Sequence, residues 1–473
     1  MGWAPVQAFA ARREKALAVA LIAAYLVVYG TLAILRHRTF HSFGFDLGLF
    51  DQVFWNTAQG RLFESTISQG NPQPHSYLGD HWSPVYWLLM PCYYAYPHPE
   101  TLLVIQILFL GLGATPVYLL ARLKLEPGFQ RLAWVAAYFL FLPVAYISLV
   151  DFHEVALSVL PLGLALYFLE TRRHWWFLAC LALTFLIKEE MPLIAFGFGA
   201  YALLGKRLVP LGVGLMAGSL AAFLVLLGIA IPHFAGGAAY PYLAVRYGTL
   251  GNTPLQIAHT LVTNPIKVAQ VLFQFNKLAF LLGLFGPVLG LTSLARWAGI
   301  LVLPTLAYLL LSSYKPEYSF ATQYSAPLIT LILGTSILAM ARLRAAWRMR
   351  VAASVVVSSL AFSFVFGALP FSRHFDVSTF LPEVRYASFS AAVQQIPAGA
   401  SVASQDDLTS HLSERRRIYS IGFQGLEGAD YVVLDYASDD RDLAKHAARV
   451  AAVEAMGYDE VATGIGLALL KKR

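Results

Sequence analysis

Charged residues are scarce in this chain: Asp, Glu, Lys and Arg make up 13% of its 473 residues, whereas 58% of the residues are hydrophobic. A soluble domain carries about 25% charged residues, so the composition excludes an ordinary soluble protein. The apolar residues form long runs, and a run of roughly 20 residues is enough to cross a bilayer as a helix. The sequence therefore predicts an α-helical polytopic membrane protein, with the lipid bilayer as its first partner.

Cysteine and glycine-rich motifs are also lacking. The two cysteines, Cys92 and Cys180, are expected near the outer surface and inside a helix, so they are not expected to pair, and redox chemistry is not indicated. The sequence has no glycine-rich nucleotide loop and no internal repeat of the kind that is common in transporters. The net charge of +7 comes largely from basic loops that attract anionic lipid headgroups, and no nucleic-acid partner is expected.

The apolar runs predict about eleven membrane spans. They lie near residues 16–36, 101–121, 130–150, 155–170, 175–187, 191–204, 208–231, 278–295, 297–312, 325–341 and 351–370. No cleavage motif follows the first run, which we interpret as an uncleaved anchor. The run 84–97 is short, rich in Tyr and Trp, and bracketed by prolines, so it predicts an interfacial or re-entrant helix.

Basic residues cluster on every second connection between these runs. The clusters are Arg12, Arg13 and Lys15; Arg122, Lys124 and Arg131; Arg172 and Arg173; Lys206 and Arg207; and Arg342, Arg344, Arg348 and Arg350. The positive-inside rule assigns these loops and the N-terminus to the cytoplasm. The acidic and histidine-containing motifs occupy the opposite connections, so we expect an integral plasma (cytoplasmic) membrane protein with an extracytoplasmic active site.

The composition predicts two domains. Residues 1–370 form a transmembrane domain, whose first extracytoplasmic loop, 37–100, carries surface helices, and residues 371–473 form an extracytoplasmic domain. The segments 401–404, 417–421 and 431–435 have the pattern of strands, and 439–456 that of a helix. A small α/β domain is expected there.

Two acids follow the first span directly, at Asp46 and Asp51. One such carboxylate could deprotonate an acceptor hydroxyl, and the other could hold a metal that neutralises a phosphate leaving group. A structural interpretation is that Asp46 caps the helix that follows it.

Three further motifs lie on the same side. Asp80-His81 precedes the interfacial helix, and Asp151-Phe152-His153-Glu154 has an Asp-x-His spacing that suits a divalent metal or an acid–base pair. In Lys188-Glu189-Glu190, the lysine could hold a phosphate or form an internal Lys–Glu pair. Six other polar residues on this side are individually weaker candidates for the site: Arg246, Tyr247, Lys315, Glu317, Gln323 and Tyr324.

The residues at 45–60, 80–84, 151–154, 188–190 and 429–435 closely resemble the DUF2079 family of membrane proteins. The layout of that family in turn resembles the GT-C glycosyltransferases, which include protein mannosyltransferases and aminoarabinose transferases. The resemblance implies that Asp46 is the first-loop catalytic acid and Asp151 the second, and that Lys188 is a candidate ligand of a lipid-linked phosphate. The first loop has no paired Asp-x-Asp, and Gln323 stands where His is expected.

The leading hypothesis is an inverting glycosyltransferase that moves a sugar from a polyprenyl-phosphate donor to an extracytoplasmic acceptor. The expected site comprises catalytic Asp46 and Asp151; substrate-binding Lys188, Glu189, Glu190, Asp80, Tyr324 and Gln323; and Asp51, His81, His153 and Glu154 as ligands of a divalent metal cation, the one cofactor considered. The alternatives are a transporter or flippase of lipid-linked sugars and a non-enzymatic membrane protein whose C-terminal domain binds a partner.

Overall fold

Long apolar helices dominate the structure. The computed structural model describes residues 4–67, 73–240, 242–382, 385–436, 442–464 and 466–473. Within these ranges, five helices are long and apolar enough to cross a membrane: Phe9–Arg38, Pro99–Lys124, Val209–Phe234, Gln323–Met340 and Ala345–Phe366. Two bent pairs raise the number to seven: Phe129–Phe139 with Leu142–Leu149, at 42°, and Pro265–Leu272 with Phe275–Phe285, at 60°.

The other predicted spans fall on shorter helices. These are Val159–Glu170, His174–Phe185, Met191–Leu204 and Leu303–Leu311, the last preceded by a 3₁₀ segment, Arg296–Val302. The helices of 12 and 14 residues that flank Lys188 extend for about 18 and 21 Å at 1.5 Å per residue, less than the roughly 30 Å hydrocarbon core. Length and composition therefore give five to seven spans where eleven were expected. The two helices are separated by residues 186–190, which contain the charged triplet Lys188-Glu189-Glu190.

Short elements fill the connection after the first helix, Ala4–Arg38. A π-helical turn, Gly44–Gly48, continues into the helix Leu49–Ala58, and the strands Glu64–Ser65 and His75–Ser76 pair in antiparallel fashion. The helix Tyr86–Ala95 contains Pro91, and its ten residues extend for only about 15 Å. It is too short to cross a bilayer, as expected for the interfacial segment 84–97.

Further short helices occupy the connection between Val209–Phe234 and Phe275–Phe285. They are Tyr242–Tyr247, Pro254–Thr263 and Pro265–Leu272. Two of these helices begin with a proline, which follows a capping residue directly. The capping residues are Thr253 and Asn264, whose side chains each accept a hydrogen bond from a backbone N–H in the first turn of the helix. The sequence pattern of prolines thus sets where these helices start.

The C-terminal part contains a five-stranded mixed sheet. The strand order is Ile418–Ser420, Val402–Ser404, Tyr431–Asp435, Leu467–Lys472 and Tyr458–Gly464. The first three strands are parallel to one another, and each of the last two is antiparallel to the strand before it in this order. The first three coincide with the predicted strands, and the last two were not predicted. The predicted helix 439–456 is present as Leu443–Ala455, and residues 437–441 lie outside the described residues.

The two faces of this sheet pack against different cores. Val402 and Val433 belong to the large apolar cluster that includes the membrane helices and the first connection. Their neighbours Ala403, Val432 and Leu434 face a smaller cluster with the C-terminal helix. This period-two alternation places one face of the sheet on the membrane part. Hydrogen bonds from Phe45 to Asp406 and from Ser410 to Ser42 bring the loop after the strand Val402–Ser404 to the segment after the first helix.

Candidate functional site

A cavity of about 390 Å³ opens at the end of the helices that carries the acidic motifs. Seven of the twelve predicted site residues line it: Asp46, Asp80, His81, His153, Lys188, Gln323 and Tyr324. A larger groove, of about 700 Å³ around Trp297, is lined mostly by apolar residues and contains none of the motifs. The smaller cavity is therefore the candidate site.

Asp46 and His153 form a pair on the cavity wall. Asp46 lies in the π-helical turn, 43% of its side chain is exposed, and its Oδ1 is 3.2 Å from Nε2 of His153. His153 Nδ1 lies 3.0 Å from the carbonyl of Asp151, so that nitrogen donates and Nε2 faces the carboxylate. Burial lowers the pKa of His153, but the Asp46 carboxylate outweighs it and raises the pKa above the usual value. Burial in turn raises the pKa of Asp46, and His153 outweighs it, so that this pKa is lowered.

Asp151 lies behind this pair. Its Oδ1 accepts a hydrogen bond of 2.6 Å from Arg36 and its Oδ2 one of 2.7 Å from the backbone N–H of Phe43, and its side chain is 1% exposed. Both bonds are charge-assisted. Asp151 thereby ties the end of the first helix to the segment that carries Asp46, and it is not one of the residues that line the cavity.

Lys188 reaches the cavity from the turn between the two short helices. Its Nζ donates to Oε1 of Glu154 at 2.6 Å, and Glu154 also accepts a bond of 3.2 Å from the hydroxyl of Tyr86. Burial lowers the pKa of Lys188, but Glu154, Glu190 and Glu189 together raise it above its usual value. The lysine is therefore a buried cation with its own carboxylate partner.

The two acids after Lys188 differ in their surroundings. Glu189 accepts bonds from His81 Nδ1 at 2.7 Å, the Trp82 backbone N–H at 3.1 Å and the Tyr240 hydroxyl at 2.6 Å. Burial raises the pKa of Glu189, but His81 and these other partners lower it below the usual value. Burial and the charge of Glu189 raise the pKa of Glu190 to about 8, despite Lys188 and Arg246. The charge of Glu189 therefore opposes ionisation of Glu190.

A second cation, Arg246, faces the same cavity, and 12% of its side chain is exposed. Its Nε lies 3.0 Å from Oε1 of Glu317, and its guanidinium covers the rings of Tyr242 and Tyr324 at 5.0 and 5.5 Å from their centroids. Sequence reasoning gave this arginine low weight because nothing in its local sequence distinguishes it. Asp80, on the same wall, is 3.0 Å from Nε2 of His75, a histidine that sequence reasoning missed.

The four predicted metal ligands have separate partners. Asp51 is buried and accepts bonds of 2.7 Å from both Tyr93 and Ser413, while His81, His153 and Glu154 contact Glu189, Asp46 and Lys188. Burial, with the nearby Glu414, raises the pKa of Asp51 to about 7. Among the residues that the structure describes, no three His, Cys, Asp or Glu side chains converge as metal ligands would. These residues therefore do not form one coordination sphere, and metal dependence stays a prediction.

The C-terminal domain also contributes to the cavity. Asp406, two residues beyond the strand Val402–Ser404, and Phe423 both line it. Burial raises the pKa of Asp406 to about 6, although Ser420 and the Phe45 backbone bond to it. Sequence reasoning missed both residues. The one available signal was the position of Asp406 at the carboxyl end of a predicted strand, where loop residues of parallel strands gather.

The fold is similar to that of two solved structures of one membrane protein, ArnT. ArnT from Cupriavidus metallidurans in its apo state superimposes with a TM-score of 0.58 at 14% identity, covering 97% of this chain and 98% of that protein. The crystal structure of the same protein bound to undecaprenyl phosphate gives 0.54 at 14% identity, with 96% and 97% covered. The chain is thus a helical membrane protein whose fold is similar to that of ArnT.

The family follows from the sequence. A family model described as predicted membrane protein (DUF2079) matches residues 36–469, so the chain belongs to the DUF2079 family. No protein of curated function matches it. The resemblance predicted from the motifs is confirmed.

Proposed function

We propose that this protein is a membrane glycosyltransferase that moves a sugar from a polyprenyl-phosphate donor to an extracytoplasmic acceptor. The observation that carries the proposal is a single cavity with an accessible carboxylate, Asp46, and two cations, Lys188 and Arg246, whose side chains are 5% and 12% exposed. A base and a phosphate-binding group are the two parts that such a transfer requires. The undecaprenyl phosphate in the ArnT structure supports a lipid-linked donor.

Asp46 is the proposed general base. The acceptor hydroxyl oxygen bonds to the anomeric carbon while the bond from that carbon to the phosphate oxygen breaks, which inverts the configuration. The proton passes to Asp46, and the electron pair stays on the departing polyprenyl phosphate. Because His153 lowers the pKa of Asp46, the carboxylate is ionised at neutral pH and accepts the proton late, when the hydroxyl has become acidic.

Lys188 and Arg246 are the proposed ligands of the phosphate. Both are held by carboxylates, Glu154 and Glu317, so their side chains are positioned before the donor binds. Negative charge grows on the leaving phosphate in the transition state, and cations that are already fixed in position stabilise that growth without having to reorganise. The mechanism uses no step through a metal ion.

The proposed orientation follows from the loop charges. We propose eleven crossings, with the short helices completing the set, a cytoplasmic N-terminus, and the cavity and residues 371–473 on the extracytoplasmic side of the plasma membrane. Positive residues such as Arg172 and Arg348 lie on connections opposite to the cavity. A lipid-linked donor suits this side, because its prenyl chain keeps the sugar at the membrane.

The test measures release of polyprenyl phosphate from labelled polyprenyl-phosphate mannose and polyprenyl-phosphate aminoarabinose in membranes that contain the full chain. Asp46→Asn is expected to lower the rate by about 10²- to 10⁴-fold, the usual contribution of a general base. Asp459→Asn is the matched control, because Asp459 is 63% exposed and paired only with the exposed Arg473 in the contacts described. An Asp46→Asn protein with the wild-type rate would refute the base, and movement of labelled lipid without cleavage would favour a flippase.

A further inference from the structure

The C-terminal domain reaches the segment that carries Asp46. We propose that Asp406 is a positioning residue for the transfer step: it holds the π-helical turn Gly44–Gly48 in place, so that the C-terminal domain completes the active site. The inference deepens the proposed function and rests on it. Neither the family match nor the similar structures assign a role to this residue.

The first contact is a hydrogen bond between the two domains. The backbone N–H of Phe45 donates to Oδ1 of Asp406 at 3.1 Å, and the hydroxyl of Ser420 donates to the same oxygen at 3.0 Å. The first backbone N–H groups of a helix have no partner within it, and a carboxylate there is favoured by the helix dipole. Asp406 thus caps, from another domain, the helical segment whose third residue is the proposed base.

Close packing reinforces this contact. A Cβ at Gly44 would overlap the side chain of Thr409, and a Cβ at Gly48 would lie 3.2 Å from the Cα of Ser410. Glycine at these two positions lets residues 409–410 approach the turn directly. The hydroxyl of Ser410 donates to the carbonyl of Ser42 at 3.2 Å, which fixes the start of the same segment.

Two further contacts lie within the turn and just beyond it. The hydroxyl of Ser413 donates to Oδ2 of Asp51 at 2.7 Å, and the rings of Phe45 and Phe423 are 4.6 Å apart. Residues from 42 to 51 are therefore held along their length by the C-terminal domain. Because the base must lie within hydrogen-bond reach of the acceptor, a shift of the turn by about 1 Å would slow transfer on the order of 10²-fold.

The test combines hydrogen exchange with kinetics on the full chain in detergent. Asp406→Ala is expected to speed exchange of the Phe45 amide roughly 2- to 30-fold, the range that loss of a helix cap produces, and to lower kcat with little change in the KM for the donor. Asp406→Asn keeps an acceptor oxygen and is expected to restore part of both. Ser420→Ala removes only the second bond to Asp406, so it gives a smaller change in the same direction and keeps the test valid if Asp406→Ala misfolds.

Asp459→Asn, in the same domain, is the control. Exchange at Phe45 that is the same in Asp406→Ala, Ser420→Ala and the control would overturn the inference, and so would a loss that appears only as a higher donor KM. A wild-type protein that releases no polyprenyl phosphate would overturn the proposed function instead. The exchange comparison then still decides whether Asp406 holds the turn.

Discussion

Replacing both members of the Lys188–Glu154 pair separates a structural role of the lysine from a functional one. The side chains are 5% and 0% exposed, and Nζ lies 2.6 Å from Oε1. Removing one partner of such a buried pair costs about 3–5 kcal/mol, because the other charge is left unpaired. We therefore expect Lys188→Met and Glu154→Gln each to lower the free energy of unfolding by that amount.

The double variant, Lys188→Met with Glu154→Gln, is expected to be nearly as stable as the wild type, because replacing a whole buried ion pair is often neutral. Since each single variant costs about 3–5 kcal/mol and the double variant almost nothing, the coupling energy in a chemical unfolding titration in detergent is then about 6–10 kcal/mol. The hydroxyl of Tyr86 keeps an acceptor in the glutamine at position 154. The variant thus tests Lys188 in a folded protein.

Donor binding then decides the role of the lysine. A hydrogen bond to a charged group contributes about 1.5–3 kcal/mol, so loss of Lys188 as a phosphate ligand weakens the affinity for polyprenyl phosphate by roughly 10- to 100-fold. The control is Asp459→Asn, which changes an exposed pair. Glu317→Gln would not serve as a control, because it alters the ion pair of Arg246. A stable double variant with unchanged affinity would refute the phosphate role and leave Lys188 as a structural residue.

Three predictions concern protonation. The pKa of Glu190 is raised to about 8, and its ionisation adds negative charge beside Lys188 and Arg246. The affinity for the donor should therefore fall as the pH rises through about 8, and Glu190→Gln should remove this fall in a binding titration. The folded state keeps the Asp51 proton up to about pH 7, whereas the unfolded state loses it near pH 3.8, so the stability of the fold should fall between these two pH values and level off above pH 7. Asp51→Asn should flatten this fall in thermal unfolding experiments, and an unchanged dependence of stability on pH would contradict the prediction. Because His153 lowers the Asp46 pKa, His153→Gln should move the acid limb of the kcat profile to higher pH, whereas an unmoved limb would remove Asp46 as the titrating group.

The end of the molecule that carries the site could be predicted from the sequence, because insertion into a membrane sorts charges by side before any packing occurs. Asp46, Asp80, His153 and Lys188 lie far apart along the chain, yet the alternation of basic and acidic connections assigns them to one end. The structure brings these four to one cavity. Their convergence depends on topology, which the loop charges record.

Which of the acidic side chains face the cavity could not be predicted from the sequence. Asp151 and Glu154 lie in the same short segment as His153. Their carboxylates, however, pair with Arg36 and Lys188 and do not line the cavity. Those partners lie 115 and 34 residues away, so no local pattern shows which acid remains accessible. The number of spans was difficult for a related reason: the helices His174–Phe185 and Met191–Leu204 are apolar enough to span but too short to cross alone.

The strands of the C-terminal domain show the same limit. Tyr431–Asp435 is a buried run of β-branched and aromatic residues bounded by polar ones, which predicts a strand from composition alone. Leu467–Lys472 is a run of leucine, alanine and lysine, and such residues favour a helix by intrinsic propensity. It forms a strand because Tyr431–Asp435 offers it an edge along its whole length, so tertiary pairing overrides the local preference.

Several charges around the cavity are paired, and this pairing has a consequence for the proposed transfer. Lys188 faces Glu154, Arg246 faces Glu317, and Glu189 accepts from His81. A donor phosphodiester carries one negative charge and the released polyprenyl phosphate carries nearly two, as phosphate monoesters do near neutral pH. Unpaired cations would bind the product more tightly than the donor and would slow its release. Cations that already share their charge with carboxylates still stabilise the growth of charge during the reaction, but they bind the product less tightly than unpaired cations would.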